Sequence, residues 1–206
     1  MKKPGSAVAG RFLLALLLAA AGCSSSQGLG GAFVREKPEA LVAKLNPDKK
    51  ANPAAEDAAE RLRAVYALRS AGDVSDSRLR AHVFYSLELV SISDEDPAVR
   101  MAAISVMTDL GRALAAEPAC RMLLRDDNPI CRDAAARCIG KLRRPETLPQ
   151  LEKAFGIETN PFVKGAVVRA AASLMPDPAA KVLLQKAAAD PDPSVSLVAK
   201  ECLQNK

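Results

Sequence analysis

The sequence predicts an all-α fold, a solenoid of about four helix pairs followed by a terminal helix. Three observations lead to this prediction. Pro97, Pro129, Pro161 and Pro193 stand 32 residues apart, and apolar side chains follow each proline at helical spacing. Only 3% of the 206 residues are aromatic, and there is no Trp. A core must therefore come from Ala, Leu and Val, whose small side chains let helices stack closely.

Each of these prolines opens a predicted helix. Asp96, Asn128, Asn160 and Asp192 precede them, and such residues cap a helix by accepting hydrogen bonds from its first backbone N–H groups. Proline is tolerated at the first helical position. The predicted buried positions of the helices that follow are Val99, Ala103, Val106 and Leu110, then Cys131, Ala135, Cys138 and Leu142, then Val163, Val167, Ala170 and Leu174.

A second helix follows in each unit after a short turn. Its apolar residues keep the same 32-residue offset: Phe84 and Leu87; Ala116, Ala119 and Leu123; Leu148, Leu151 and Phe155; and Leu183.

An earlier, less regular helix is predicted from Ala54 to Ser70. It aligns with the later units at an offset of 39 residues rather than 32, which places its Arg61 on Arg100. The longer offset implies an extended turn from about Asp73 to Ser77.

These units resemble HEAT-like repeats, of the short kind that is also found in phycobilisome lyases. The resemblance rests on the Asp-Pro-x-Val-Arg start at residues 96–100 and on the Ala-rich turns that follow it. It covers about residues 54–206 and implies a curved, right-handed solenoid. It implies little about activity, because function lies in sites rather than in folds.

The start of the chain predicts an export signal. Lys2, Lys3 and Arg11 precede an apolar run from Phe12 to Ala21, an order typical of a signal peptide. The run is shorter than the roughly 20 residues that a membrane-crossing helix needs. We therefore expect residues 1–22 to be removed.

The end of this signal resembles the lipobox of bacterial lipoproteins. It reads Ala20-Ala21-Gly22-Cys23, with Ala20 where that family more often has Leu. The resemblance implies that Cys23 receives a diacylglyceryl thioether, becomes the first mature residue and is acylated, with palmitate for example, on its new amino group. Two or more acyl chains give lasting attachment to a bilayer. The alternative is an ordinary secretory signal that is cleaved nearby.

The residues after Cys23 predict a tether, a location and a domain boundary. The residue after Cys23 is Ser24 rather than Asp. A residue other than Asp at this place resembles the outer-membrane sorting signal of Gram-negative lipoproteins. It predicts an exported protein that is lipid-anchored to the outer membrane and faces the periplasm. Residues 23–52 form the lipidated cysteine and a Ser- and Gly-rich flexible tether, with a short helix from about Pro38 to Leu45. Residues 53–206 form the repeat solenoid.

Arg100, Arg132 and Lys164 recur at one position of the repeat and predict a basic row. One interpretation makes this row a binding surface for an acidic partner. The favoured interpretation pairs each cation with an acid near the cap of a neighbouring repeat, the acids being Asp94, Asp126, Glu158 and Asp190. The Asp94-x-Asp96 pair does not predict calcium binding, because the loop lacks the Gly and the terminal Glu of an EF-hand.

The cysteines other than Cys23 are interpreted from their positions in the repeat. Cys131, Cys138 and Cys202 fall on buried positions as small apolar fillers, whereas Cys120 is predicted near a surface edge. Export makes a disulfide chemically accessible, and four cysteines allow three complete pairings that the sequence does not separate. Zinc binding is not predicted, because no Cys-x-x-Cys motif and no neighbouring His are present.

No catalytic constellation is predicted. His82, the single histidine, is interpreted as a partly buried structural residue, and the sequence lacks a phosphate-binding loop, a dinucleotide-binding turn and a nucleophile elbow. Removal of the leader leaves 26 basic against 24 acidic residues, which weakens the case for a nucleic-acid partner. We therefore expect no enzyme activity, no cofactor, no metal and no small-molecule substrate.

The function predicted is that of a lipid-anchored protein of the cell envelope, an adaptor or scaffold that binds a partner protein through the concave face of the solenoid. One alternative is a lyase-like enzyme that handles a bilin or a similar chromophore, which only the repeat type suggests. The other alternative is a structural envelope component that associates with itself.

Overall fold

The computed structural model describes residues 36–45, 57–73, 75–111 and 113–205. The predicted signal peptide, the lipidation site Cys23 and the Ser- and Gly-rich segment lie outside the described residues. Within them the chain is helical and contains no β-strand. The predicted all-α solenoid is confirmed.

The described residues form ten α-helices. Their bounds are α1 Pro38–Lys44, α2 Ala58–Ala67, α3 Ser77–Ser93, α4 Pro97–Leu110, α5 Ala116–Arg125, α6 Pro129–Leu142, α7 Leu148–Ile157, α8 Pro161–Ala172, α9 Pro178–Ala188 and α10 Pro193–Gln204. Short 3₁₀-helices follow α2 at Leu68–Asp73 and precede α7 at Pro145–Thr147. The helix predicted from Ala54 to Ser70 is thus an α-helix over residues 58–67 that tightens into a 3₁₀-helix.

The four repeated prolines begin α4, α6, α8 and α10, as the sequence predicts. The side chains of Asp96, Asn128, Asn160 and Asp192 accept hydrogen bonds from the backbone N–H two residues later, at 2.7, 2.9, 3.0 and 2.8 Å. The predicted buried positions of α4, α6 and α8 are buried, except for Leu110, which is half-buried.

The closest packing within the array differs from the predicted units. We expected each helix that begins with proline to pair with the helix after it. Instead α3 packs extensively against α4, α5 against α6 and α9 against α10, whereas α4 and α5 touch little. The reason is the turn, since the three residues 94–96 join α3 to α4 and so hold the apolar faces of the two helices against each other. The exception is α8, which contacts α7 and α9 to a similar extent.

The helices form two rows of unequal density. Successive members of one row, α2, α4, α6, α8 and α10, pack closely on one another, and successive members of the other row, α3, α5, α7 and α9, touch much less. Closer spacing along one row places it on the inner side of a curved stack. We call these five helices the inner row and the other four the outer row. The predicted short helix is present as α1, which contacts α2 and α3.

Candidate binding surface

The predicted basic row forms ion pairs along the inner row. Arg100 donates from Nε to Asp126 Oδ2 at 2.9 Å and from Nη2 to Asp126 Oδ1 at 2.8 Å. Arg132 makes the same two-point contact with Glu158, at 2.7 and 3.1 Å. Lys164 Nζ donates to Asp190 Oδ2 at 2.8 Å. Each cation therefore joins its own helix to an acid in the turn that precedes the next inner-row helix.

Arg61 adds a member that the predicted basic row omits. Its Nε lies 2.8 Å from Asp94 Oδ2 and its Nη2 lies 2.9 Å from Asp94 Oδ1. The 39-residue offset that aligns Arg61 with Arg100 carries this information in the sequence. We call Arg61, Arg100, Arg132, Lys164 and their acids the ion-pair ladder.

The two central arginines of the ladder are also tied to the backbone of their own turns. Nη1 of Arg100 donates to the carbonyl oxygens of Asp94 and Glu95, at 2.9 and 3.3 Å. Arg132 Nη1 does the same to the carbonyls at positions 126 and 127, at 2.9 and 3.0 Å. These bonds give a hydrogen-bond donor to carbonyl groups near helix ends, because such carbonyl groups have no partner within the helix.

Two acids of the ladder, Asp126 and Glu158, have lowered pKa values. Burial alone would raise the pKa of Asp126, but hydrogen bonds from Arg100 and from the backbone N–H of Asn128 outweigh burial and lower this pKa. Burial alone would also raise the pKa of Glu158. Hydrogen bonds from Arg132 and from the backbone N–H of Asn160 outweigh burial, and this pKa is lowered as well. Both lowered pKa values favour the ionised form of these two carboxyl groups.

The geometry of the ladder leaves little for a partner to bind. Arg100 is only 8% exposed, and the side chains of Asp126, Glu158 and Asp190 are almost wholly buried. A ligand that captured these cations would have to displace bonds that are already made and leave buried carboxylates unpaired, which is costly.

A cleft with charged walls lies on the exposed face of the inner row, towards the C-terminal ends of α4, α6 and α8. It has a volume of about 1070 Å³, and its lining includes Asp109, Arg137, Lys141, Arg143 and Arg169. Small residues form its floor, among them Gly140, Ala166, Ala170 and Ser173. We call it the cationic cleft.

A second cleft adjoins the first towards the N-terminal ends of α6, α8 and α10. It has a volume of about 450 Å³ and is lined by Ile130, Phe162 and Val198, among others, and it shares Arg137 and Arg169 with the cationic cleft. Ile130 is 62% exposed and Phe162 is 82% exposed. We call it the apolar cleft. Together the two clefts form one continuous surface across four helices, α4, α6, α8 and α10.

The sequence reasoning missed this surface, although the repeat contains its signal. Ile130 and Phe162 occupy one position of the 32-residue repeat, and Arg137 and Arg169 occupy another. These positions lie outside the buried stripe of their helices. A search for repeated large or charged residues at exposed positions, rather than at buried ones, finds both pairs.

Two predictions about single residues are wrong. Cys120 is buried rather than near a surface edge, because α5 packs against α6 and also contacts α3 and α7. His82 is exposed rather than partly buried, because the buried stripe of α3 runs along Val83, Leu87 and Val90 and His82 precedes it by one residue.

The cysteines predicted as small apolar fillers pack into or against the core. Cys131 and Cys138 are buried thiols without a disulfide, and Cys131 Sγ donates to the carbonyl of Pro97 on α4 at 3.3 Å. Burial raises the pKa of the Cys120 and Cys131 thiols to about 11. Cys202 is half-buried against the core. With pKa values of about 11, the Cys120 and Cys131 thiols are protonated at neutral pH, which makes them poor nucleophiles and poor metal ligands.

The carboxylates of Asp94 and Asp96 in the acidic turn at residues 94–96 already accept hydrogen bonds from other groups of the protein. Asp94 accepts from Arg61 and from the N–H of Asp96, and Asp96 caps α4. In the described part of the chain, no group of three or more His, Cys, Asp or Glu residues could hold a metal ion. No helix among those residues is long and apolar enough to cross a bilayer.

Comparison with known proteins agrees with this architecture. The family model described as HEAT repeats matches residues 86–172 and 116–204, which together span more than half of the chain. A search of curated proteins finds no match. The matched residues begin within α3 and end at α10, so they include both clefts. HEAT repeats are in general protein-interaction modules, and this chain, with its stacked helix pairs and its ion-pair ladder, belongs to the HEAT-repeat family.

Proposed function

We propose that this protein is a lipid-anchored adaptor of the bacterial cell envelope, which binds a partner protein through the exposed face of the inner row. The observation that carries the binding half is the continuous surface of the two clefts, where Phe162 is 82% exposed beside the cations Arg137 and Arg169. Exposed aromatic and arginine side chains are the residue types enriched at the centres of protein interfaces.

The ion-pair ladder supports the proposal by making this surface a rigid one. It joins each inner-row helix to the turn that precedes the next inner-row helix, through paired, buried charges. A surface whose parts are held in place loses little conformational freedom on binding, which favours affinity. The ladder therefore acts as a frame for the clefts rather than as the binding site.

The anchoring half of the proposal rests on the sequence around Cys23 and on the Ser- and Gly-rich residues 24–31 after it. Ser- and Gly-rich sequences are typical of linkers, and a linker at this place would let an anchored solenoid turn its inner row towards a partner.

Two experiments test the two halves. Cells that express the full chain are fed labelled palmitate, and we expect label in the wild-type protein but not in a Cys23→Ala variant; equal labelling of both would contradict lipid anchoring. Crosslinking of the anchored protein in its own cells should recover a specific partner, and recovery should fall in a Phe162→Ala variant. Tyr85→Ala, which removes an aromatic side chain that is 60% exposed on α3 of the outer row, is the matched control.

A further inference from the structure

The cationic cleft contains positive charge that the protein does not neutralise. Among the described residues Lys141, Arg143 and Arg169 take part in no ion pair. The other charges of the cleft are paired, Arg137 with Asp133 at 2.7 Å and Asp109 with Arg69 at 3.1 Å. Three cations on a cleft wall thus face solvent without an acid.

Helix dipoles do not cancel this charge. The C-terminal ends of α4, α6 and α8 lie at the cleft, and each carries a partial charge of roughly −0.5. Their sum of about −1.5 stands against three unpaired positive charges. The cleft keeps a net positive field, and cleft walls of low dielectric concentrate such a field towards the bound ligand.

The apolar cleft sets a second requirement. Phe162 and Arg169 lie on one face of α8, seven residues apart, which corresponds to about 10 Å along the helix axis. An extended peptide rises about 3.3 Å per residue. About three residues of an extended chain therefore separate a side chain that contacts Phe162 from a carboxylate that reaches Arg169.

We propose that the occupant of this surface is an acidic segment of a partner protein, which places carboxylates against Arg169, Lys141 and Arg143 and an apolar side chain between Ile130 and Phe162. This inference rests on the proposed function and adds the chemistry of the partner. The unpaired cations of the cationic cleft favour an acidic ligand, and the adjoining apolar cleft favours one that carries an apolar group at a fixed distance. A peptide supplies both, whereas a simple polyanion supplies only the charge.

The test is a selection of random twelve-residue peptides on the purified full chain in detergent micelles. We expect the selected peptides to be enriched in Asp and Glu, with an apolar residue about three positions away. Affinity is then measured by fluorescence anisotropy of the labelled peptides. The double variant Lys141→Glu/Arg169→Glu should weaken binding on the order of tenfold or more, and raised salt should weaken binding to the wild type.

Lys153→Glu/Lys186→Glu is the matched control, because both lysines are exposed on outer-row helices and Lys186 also lies in the last turn of its helix. It should change the affinity less than twofold. Arg169→Lys keeps the charge and should retain most of the binding, whereas Phe162→Ala should weaken it and Tyr85→Ala should not. Circular dichroism of each variant checks that the helices are intact.

Three results would overturn the inference. The selected peptides could lack acidic residues, or they could bind the charge-reversed variant as well as the wild type. Inorganic polyphosphate could bind with the same dependence on Lys141 and Arg169 while no acidic peptide is enriched. In the first two cases a partner that still crosslinks at the inner row would leave the proposed adaptor function standing, so the two failures are distinguishable.

Discussion

Arg100 and Asp126 form a two-point ion pair between neighbouring helix pairs, with Nε–Oδ2 at 2.9 Å and Nη2–Oδ1 at 2.8 Å. Both side chains are largely buried, at 10% and 6% exposure. The planar guanidinium matches the carboxylate, and its third nitrogen bonds the turn carbonyls of Asp94 and Glu95. Loss of Arg100 therefore leaves a buried carboxylate without its cation and two carbonyl groups without their donor.

Replacement of Arg100 by Ala should lower the free energy of unfolding by about 3 kcal/mol, the usual cost of leaving one member of a buried ion pair. The double variant Arg100→Ala/Asp126→Ala should cost less than the sum of the single variants. Urea denaturation followed by circular dichroism measures both. Arg121→Ala, which removes exposed pairs with Glu117 and Glu88, should cost less than about 1 kcal/mol. A loss as small for Arg100 would contradict a stabilising role of the ladder.

Acid should destabilise the array through Asp126 and Glu158. Their pKa values in the folded state lie below the ordinary values of 3.8 and 4.5, so the unfolded chain binds protons first as the pH falls. The stabilisation is then complete above about pH 5 and decreases from the ordinary pKa down through the folded one. Urea denaturation between pH 7 and pH 3 measures it. Glu158→Gln should be less stable at pH 7 and should show a shallower decline, and a decline as steep as that of the wild type would assign acid sensitivity to other groups.

Gly111→Ala should destabilise the junction of α3 and α4. A Cβ at this position would lie 2.6 Å from Cε2 of Phe84, and such overpacking costs typically about 1–3 kcal/mol. Gly156 in α7 is the matched control, because a Cβ there would meet nothing within 4 Å. Gly156→Ala should stabilise by about 0.5–1 kcal/mol through helix propensity. Thermal melting of the two variants should therefore shift in opposite directions, and a shift of the same sign would contradict the packing at Gly111.

Cys120 and Cys131 should react slowly with iodoacetamide in the native protein. With pKa values of about 11, about one thiol in a thousand is ionised at pH 8, and burial limits access further. Mass spectrometry of labelled peptides separates the positions. Addition of guanidinium chloride should make both sites react, and rapid labelling of the native protein would show that α5 and α6 open locally.

The parts of this protein that the sequence predicts well are those that repeat. The helix starts at Pro97, Pro129, Pro161 and Pro193 follow from local chemistry, because the cap and the proline act within one turn. The pairing of helices was harder to predict, since periodicity assigns a buried face but does not say which neighbour covers it. The same limit explains Cys120, whose burial depends on α5 meeting several helices at once.

The clefts show the opposite limit. Exposed residues such as Phe162 and Arg169 are not part of the periodic buried stripe of their helix. They line a cleft only because α6, α8 and α10 lie side by side in the folded protein. Their 32-residue recurrence is present in the sequence, but a recurrence at exposed positions does not by itself distinguish a binding surface from a solvated helix face.

Lys164 gives the ladder a direction. The arginines at its other positions bond their partner acids at two points, whereas Lys164 makes a single bond to Asp190 and lies 5.1 Å from the ring of Phe155. The joint between α8 and α10 therefore has one ladder bond where the other joints of the inner row have two. Val198 on α10 forms one wall of the apolar cleft, so this single ammonium–carboxylate bond stands at the joint that borders the apolar cleft. The joints that border the cationic cleft are held by guanidinium groups at two points, and the two ends of one surface differ in the number of side-chain bonds that fix them.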